Sequence, residues 1–140
     1  MNSLIKAQDA CPCSSKRPFA HCCQPWLAGE YAPTPEALMR SRFTAYALGD
    51  VGFIMRTTHP RSPHAQPDAK AWRQDLKAFC RQTDFLGLQI RRVEESAQEK
   101  VGWVTFRAIL MQAGRDASFT EKSRFEQVNG RWYYLSGEIS

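Results

Sequence analysis

Four cysteines fall within a short N-terminal stretch as Cys11-x-Cys13, an eight-residue gap, then Cys22-Cys23. Thiolates this close can surround a tetrahedral zinc ion at about 2.3 Å per Zn–S contact. The loop from Ser14 to His21 lets the chain double back so that the two cysteine pairs converge, and Pro12 stiffens the first pair. Ser14 and Ser15 can turn the chain and donate toward sulfur. Lys16 and Arg17 offset the charge of the thiolates. So short a segment cannot fold on hydrophobic burial, so metal binding would supply its folding energy. His21 is an alternative fourth ligand in place of Cys22 or Cys23. Two other chemistries stay open. A Cys22–Cys23 disulfide would strain the peptide between neighbours. A redox dithiol more often reads C-x-x-C at a helix start, a pattern missing here. Zinc fits the spacing best, as one structural ion whose four protein ligands leave no position for water.

A second candidate lies near the C-terminus. In the segment Phe119–Val128, strand alternation puts Phe119, Glu121, Ser123 and Phe125 on one face. Two phenylalanines turn that face toward the core, so Glu121 would be a carboxylate in apolar surroundings. With Ser123 and an aromatic such as Tyr46, Trp103 or Tyr133 beside it, Glu121 is the one candidate for general acid/base work. The competing expectation is a structural pair with Arg40 or Arg42, because buried carboxylates are usually paired. His59, before Pro60 in a loop, reads as solvated or capping. Spacing for a Ser-His-Asp triad, a phosphate-binding glycine loop or a paired-carboxylate site is not evident.

The elements that position these residues are legible. Gln24–Pro33 reads as a linker in which Trp26 and Leu27 anchor the cysteine segment. Thr34-Pro35 marks a helix start, with Thr34 as N-cap and Pro35 at the first helical position. That helix should run to about Leu48, burying Met39, Phe43, Tyr46 and Ala47, and end at Gly49-Asp50. Val51–Thr58 reads as a short second helix and Ala69–Gln82 as a third, with Trp72, Leu76, Phe79 and Cys80 at helical spacing. Cys80 reads as a small buried hydrophobe. His59–Asp68, with three prolines, reads as a loop. Leu86–Ser96, Val101–Gln112, Ser118–Val128 and Trp132–Gly137 read as strands. Glu99-Lys100, Ala113-Gly114-Arg115 and Asn129-Gly130 supply the turns. Helices followed by consecutive hairpins imply an α+β fold, with helices on one face of a curved antiparallel sheet.

The run Cys11-Pro12-Cys13-Ser14-Ser15-Lys16-Arg17-Pro18-Phe19-Ala20-His21-Cys22-Cys23 resembles the SEC-C motif, a zinc-binding segment named after the C-terminus of the SecA translocation ATPase. That motif usually reads C-P-C-G-S-G; Ser14 and Lys16 stand where its glycines fall. Pro35 to Asp50 resembles the start of the YchJ family of uncharacterised bacterial proteins. Glu121-Lys122-Ser123-Arg124-Phe125 and Gly130-Arg131-Trp132-Tyr133-Tyr134 resemble that family's closing hairpin. The resemblance implies an N-terminal zinc-stapled segment, residues 1–27, and a nuclear-transport-factor-2-like (cystatin-like) α+β domain, residues 28–140. That domain is a cone of about three helices against a curved four-stranded antiparallel sheet. It further implies a cone cavity, with Tyr46, Trp103, Glu121, Ser123 and Tyr133 as lining candidates. In SecA-type proteins the similar segment engages a protein, which implies a protein partner contacted through an exposed Lys16, Arg17 and Phe19.

Composition sets the remaining bounds. At 140 residues, 43% hydrophobic, the chain can fill one ordinary core. The formal charge of +5 drops to about +3 with zinc on four thiolates. The basic residues are scattered, which argues against a nucleic-acid partner. No segment is apolar enough to span a bilayer, Met1–Ala10 does not read as a secretory signal, and a cytoplasmic location is expected. The leading expectation is a non-enzymatic binding module using the cysteine segment for a protein partner. The alternative is a small-ligand binder or enzyme built around Glu121.

Overall fold

In the computed structural model, which describes residues 5–140, a 3₁₀ turn at Phe19–His21 follows the cysteine loop and leads into α1 (Gln24–Leu27). Then come α2 (Pro35–Leu48), α3 (Val51–Arg56) and α4 (Ala69–Gln82), followed by β1 (Thr83–Ser96), β2 (Val101–Gln112), β3 (Arg115–Asp116), β4 (Phe119–Val128) and β5 (Arg131–Ile139). The expected α+β order is present. Part of the expected linker is the short α1, and a two-residue β3 is added beside β2.

Local chemistry explains the helix limits. Thr34 Oγ1 accepts from Ala37 N at 3.1 Å, and Pro35 occupies the first turn. Gly49 closes α2 in the left-handed region, at φ 76°. Asp50 caps α3 by accepting from Phe53 N, and Asp68 caps α4 by accepting from Lys70 N and Ala71 N. The buried side of α2 is wider than its apolar stripe predicts. Leu38, Met39 and Phe43 are buried, but so are Ser41, Arg42, Thr44 and Ala45, while Tyr46 and Ala47 are only half-buried. Helix α4 is the reverse: it is strongly amphipathic, yet none of its residues is buried. Cys80 is correspondingly half-buried rather than a core residue.

The sheet is antiparallel in the order β1-β2-β4-β5. Its register breaks between Phe85 and Gly87, between Ile90 and Arg92, and between Arg124 and Phe125. Such bulges bend and twist a sheet locally. On the concave face, Val104 pairs with Ser123 and Phe106 with Glu121, and both pairs point toward α2. Asn129 and Gly130 both take positive φ, 52° and 79°, as the tight β4–β5 turn requires. The cysteine loop does not hang from this body. Cys11, Cys13, Phe19, Cys22 and Cys23 belong to the same hydrophobic core as Leu38, Phe43 and Phe125. No helix of the described residues is long and apolar enough to cross a membrane.

Candidate functional site

The cysteine loop closes on itself through its backbone. Cys11 N donates to Arg17 O at 2.9 Å, and Ser14 N to Cys11 O at 3.2 Å. Ser14 and Lys16 both sit in the left-handed region, at φ 68° and 71°. Each costs a non-glycine residue about 1–2 kcal/mol. These are the positions at which the SEC-C pattern carries glycine, so the turn geometry is kept at some strain. Ser14 partly offsets it: its Oγ accepts from Leu88 N of β1 at 3.1 Å, pinning the loop to the sheet.

The folded loop brings Cys11, Cys13, Cys22 and Cys23 together with all four sulfurs within 4.8 Å of one another, and all four side chains are buried. The Cys13–Cys22 and Cys22–Cys23 sulfurs are 3.5 and 4.0 Å apart. Thiolates at about 2.3 Å from one ion would form a tetrahedron with edges of about 3.8 Å, so the arrangement fits a closed metal site. His21 is exposed and lies outside this group. Further donors surround the sulfurs. Thr44 donates to Cys23 Sγ at 3.3 Å and lies 3.7 Å from Cys11 Sγ. Ser15 Oγ is 3.1 Å from Cys22 Sγ. Arg40 Nη1 donates to Cys13 O at 3.1 Å and approaches Cys13 Sγ at 3.8 Å, while Glu36 holds its Nε at 3.0 Å. Hydrogen bonds from Cys11 and Cys23 hold the Cys13 thiol below the ordinary thiol range; Cys11 is pushed up by its contact with Cys13, and Cys23 by its contacts with Cys11 and then Cys13. Burial alone would lower Arg40, but Glu36 and the Cys13 sulfur outweigh it, so its guanidinium is held charged.

The expected contact surface changes here. Lys16 and Arg17 are exposed, but Phe19 is only 5% exposed. The 3₁₀ turn tucks its ring into the core, so it is a packing residue and not a surface anchor.

The opposite face of α2 borders a cavity of about 360 Å³ between α2, α4 and the sheet. One wall is a ring cluster. Phe43 meets Phe85 edge-on at 5.9 Å, Tyr46 stacks on Phe85 at 6.0 Å, and Phe79 meets both Tyr46 and Phe85. Trp72 and Leu76 of α4 complete it, which explains why this amphipathic helix is not fully buried: its apolar stripe faces the cavity. Phe106 and Phe119 form the facing wall.

The polar floor combines α2 with the closing hairpin. Glu121 Oε2 accepts a short hydrogen bond from Ser123 Oγ and a longer one, 3.3 Å, from the Tyr134 hydroxyl. Gly137 lies opposite, where any Cβ would collide with the Glu121 carboxylate. Arg42 is buried and donates through Nη1 to Ile54 O, Thr57 Oγ1 and Thr58 Oγ1. Its guanidinium lies over the Tyr134 ring, 4.6 Å from the centroid. Burial pulls Arg42 below the usual arginine value, against the pull of Tyr46, Tyr134 and Glu121. Burial, then the Glu121 charge, pushes Tyr134 up, so its phenol stays a donor. The expected arginine partnership therefore divides. Arg40 turns to the cysteines, and Arg42 faces Glu121 across Tyr134 without a direct ion pair.

Of the cavity candidates, Tyr46, Glu121 and Ser123 line it, whereas Trp103 and Tyr133 do not. Trp103 alternates with the inward Val104 and Phe106, so it points to the other side of the sheet, beneath Lys122 and Arg124. Tyr133 likewise faces away, its ring meeting His59 edge-on at 6.2 Å, and Tyr134 takes the inward position. The pairing Phe125↔Tyr134 fixes that phase. His59 is buried, not solvated, but it does cap: Nδ1 accepts from Arg61 N, and Nε2 faces Glu126 at 3.6 Å. Arg42 and Gly137 were not singled out as cavity residues from sequence. Strand alternation carries no signal for Gly137: it is out of phase with the inward Trp132 and Tyr134, and only the register shift at Arg124/Phe125 brings it opposite Ser123.

A nuclear-transport-factor-2-like cone with a buried N-terminal four-cysteine loop defines the class. The model of the YchJ middle NTF2-like domain matches residues 34–137. The UPF0225 protein YchJ of Shigella dysenteriae is 37% identical over 91% of this chain and 81% of its own length. The chain belongs to the YchJ family. Among solved structures, a SEC-C motif containing protein from Rhodopseudomonas palustris superposes with a TM-score of 0.80 at 34% identity, covering 94% of this chain and 99% of its own. A SEC-C motif containing protein from Psychrobacter arcticus superposes at 0.78, covering 96% and 84%; at 23% identity it speaks for the fold alone.

Proposed function

We propose that this chain is a zinc-stapled small-molecule-binding protein whose ligand enters the cone cavity. The observation that carries this reading is the cavity itself: about 360 Å³ walled by aromatic rings, with a buried guanidinium, a carboxylate and two hydroxyls converging on its floor. Small-molecule sites are typically roughly 300–1,000 Å³, mostly apolar, with a few placed polar groups. Cys11, Cys13, Cys22 and Cys23 would hold one zinc ion, whose role is to fix the loop and the outer face of α2. Four thiolates that stay reduced suit a cytoplasmic setting. The protein-adaptor reading through Lys16, Arg17 and Phe19 loses its aromatic contact, because Phe19 is buried.

The test uses tetralin, an apolar bicyclic probe without polar groups, titrated into isotope-labelled protein. Binding in the cavity shifts the amide resonances of Phe106, Ala108, Phe119 and Ser123 in a saturable way. Shifts confined to other surfaces, or none at millimolar probe, overturn the reading.

A further inference from the structure

The polar floor also specifies what kind of molecule belongs there. Arg42 and Glu121 bring one charge of each sign into the same apolar space. An anionic ligand would meet Glu121, and a cationic ligand Arg42, each with its own desolvation cost. The hydrogen-bond pattern narrows this further. Arg42 commits Nη1 to three protein acceptors, and Tyr134 covers one face of its guanidinium. Glu121 receives donors from Ser123 and Tyr134 on Oε2, and its side chain lines the cavity. Both residues line the cavity, where a guanidinium can only donate and a carboxylate accepts. One side of the floor therefore offers an acceptor, and the other a donor. Between them rise walls of flat rings: Tyr46 stacked on Phe85, with Phe79 edge-on.

Resting on the ligand-binding reading above, we infer that the cavity takes a neutral, planar ring compound of the hydroxy-ketone class, its hydroxyl donating to Glu121 and its carbonyl accepting from the Arg42 side. Neutrality follows from the balanced charges, planarity from the stacked wall, and the donor–acceptor order from the donating guanidinium and the accepting carboxylate. Gly137 is the specificity device. It lets the carboxylate sit close against β5, where Oε2 is held by Ser123 and Tyr134.

The experiment compares four probes on one skeleton by calorimetry and by amide shifts: hydroxytetralone, tetralin, tetralin carboxylate and aminotetralin. Hydroxytetralone should bind roughly tenfold tighter than tetralin, the effect of one or two added hydrogen bonds. The carboxylate and the amine should bind more weakly than the neutral hydroxy-ketone. Glu121→Gln keeps the shape but presents an amide; it should erase most of the advantage of hydroxytetralone over tetralin. Tighter binding of the carboxylate or the amine, or equal binding of hydroxytetralone and tetralin, overturns the ligand class and leaves the cavity reading standing. Failure of all four probes, tetralin included, overturns both. The comparison on unmodified protein stands even if the Glu121 variant folds poorly.

Discussion

Helix α2 has two polar faces, and they serve opposite ends. On one, Arg40 and Thr44, four residues apart, reach the sulfurs of Cys13, Cys23 and Cys11. On the other, Arg42 and Tyr46 border the cavity with Met39 and Phe43. The cysteine face is closed. Its sulfurs sit against one another and take donors from Ser15, Thr44 and Arg40, which suits a structural ion. The cavity face is open, because Arg42, Tyr46 and Glu121 border unfilled space. A site whose groups pack on one another holds the fold together; one that borders open space is equipped to bind something else. Because both faces belong to one helix, the cysteine loop packs on the same backbone that supplies part of the cavity floor.

The largest effect should come from the metal side. Chelation, or Cys13→Ser, should lower the unfolding free energy by at least about 3 kcal/mol, since structural zinc contributes folding energy outright. The shared core predicts that loop and body melt together, as followed by tryptophan fluorescence and by amide exchange in β2. Survival of the body at its original melting temperature would make the loop an independent appendage. Arg42→Met comes next. It strips a donor from three acceptors and leaves Glu121 without its neighbouring positive charge, and should cost about 2–3 kcal/mol. Adding Glu121→Gln should recover part of that loss. Gly137→Ala should cost about 1–3 kcal/mol by overpacking the Glu121 carboxylate, measured by urea unfolding. Pairing it with Glu121→Ala, which removes the obstacle, should restore most of the loss.

The smallest effects belong to the loop backbone. Lys16→Gly should stabilise by up to about 1 kcal/mol, because glycine takes the left-handed region freely. Ser14→Gly relieves the same strain but loses the bond to Leu88 N, so its net change should be close to zero. Alkali offers a separate probe of the cavity. Tyr134 has its phenol raised in the folded protein. The folded state therefore keeps a proton that the unfolded chain releases near pH 10, and the stability this group contributes is complete below about pH 10 and is lost as pH rises further. Tyr134→Phe should flatten that decline in a pH series of thermal melts.

Much of the scaffold was legible in the sequence because its signals are local. The cysteine spacing, the Thr34-Pro35 start, the Gly49 stop and the Asn129-Gly130 turn each act within a few residues, and each lies where expected. Glu121 and Ser123 were also legible, because strand alternation holds along β4. The misplaced residues depend on relations between elements. Tyr133 and Tyr134 are adjacent, and only the pairing with Phe125 decides which faces inward. Trp103 attracts attention as an aromatic, although its phase against Val104 and Phe106 puts it outside. Phe19 lies between exposed basic residues, but its burial follows from the 3₁₀ turn. The expected Arg42–Glu121 pair is a further case: Arg42 reaches the same cavity, but its Nη1 donates to Ile54 O, Thr57 Oγ1 and Thr58 Oγ1, acceptors that only the packing of α3 and the residues after it brings near.

The central claim is a division of labour between the closed cysteine site and the open cavity. It is tested most directly by native mass spectrometry of the protein purified without chelator and mixed with hydroxytetralone, alongside the Glu121→Gln variant. The account predicts that both proteins carry one zinc ion with four protons displaced, and that the unmodified protein carries several-fold more of the added small molecule than the variant. Absence of zinc from both, or equal ligand occupancy in the two, would contradict it.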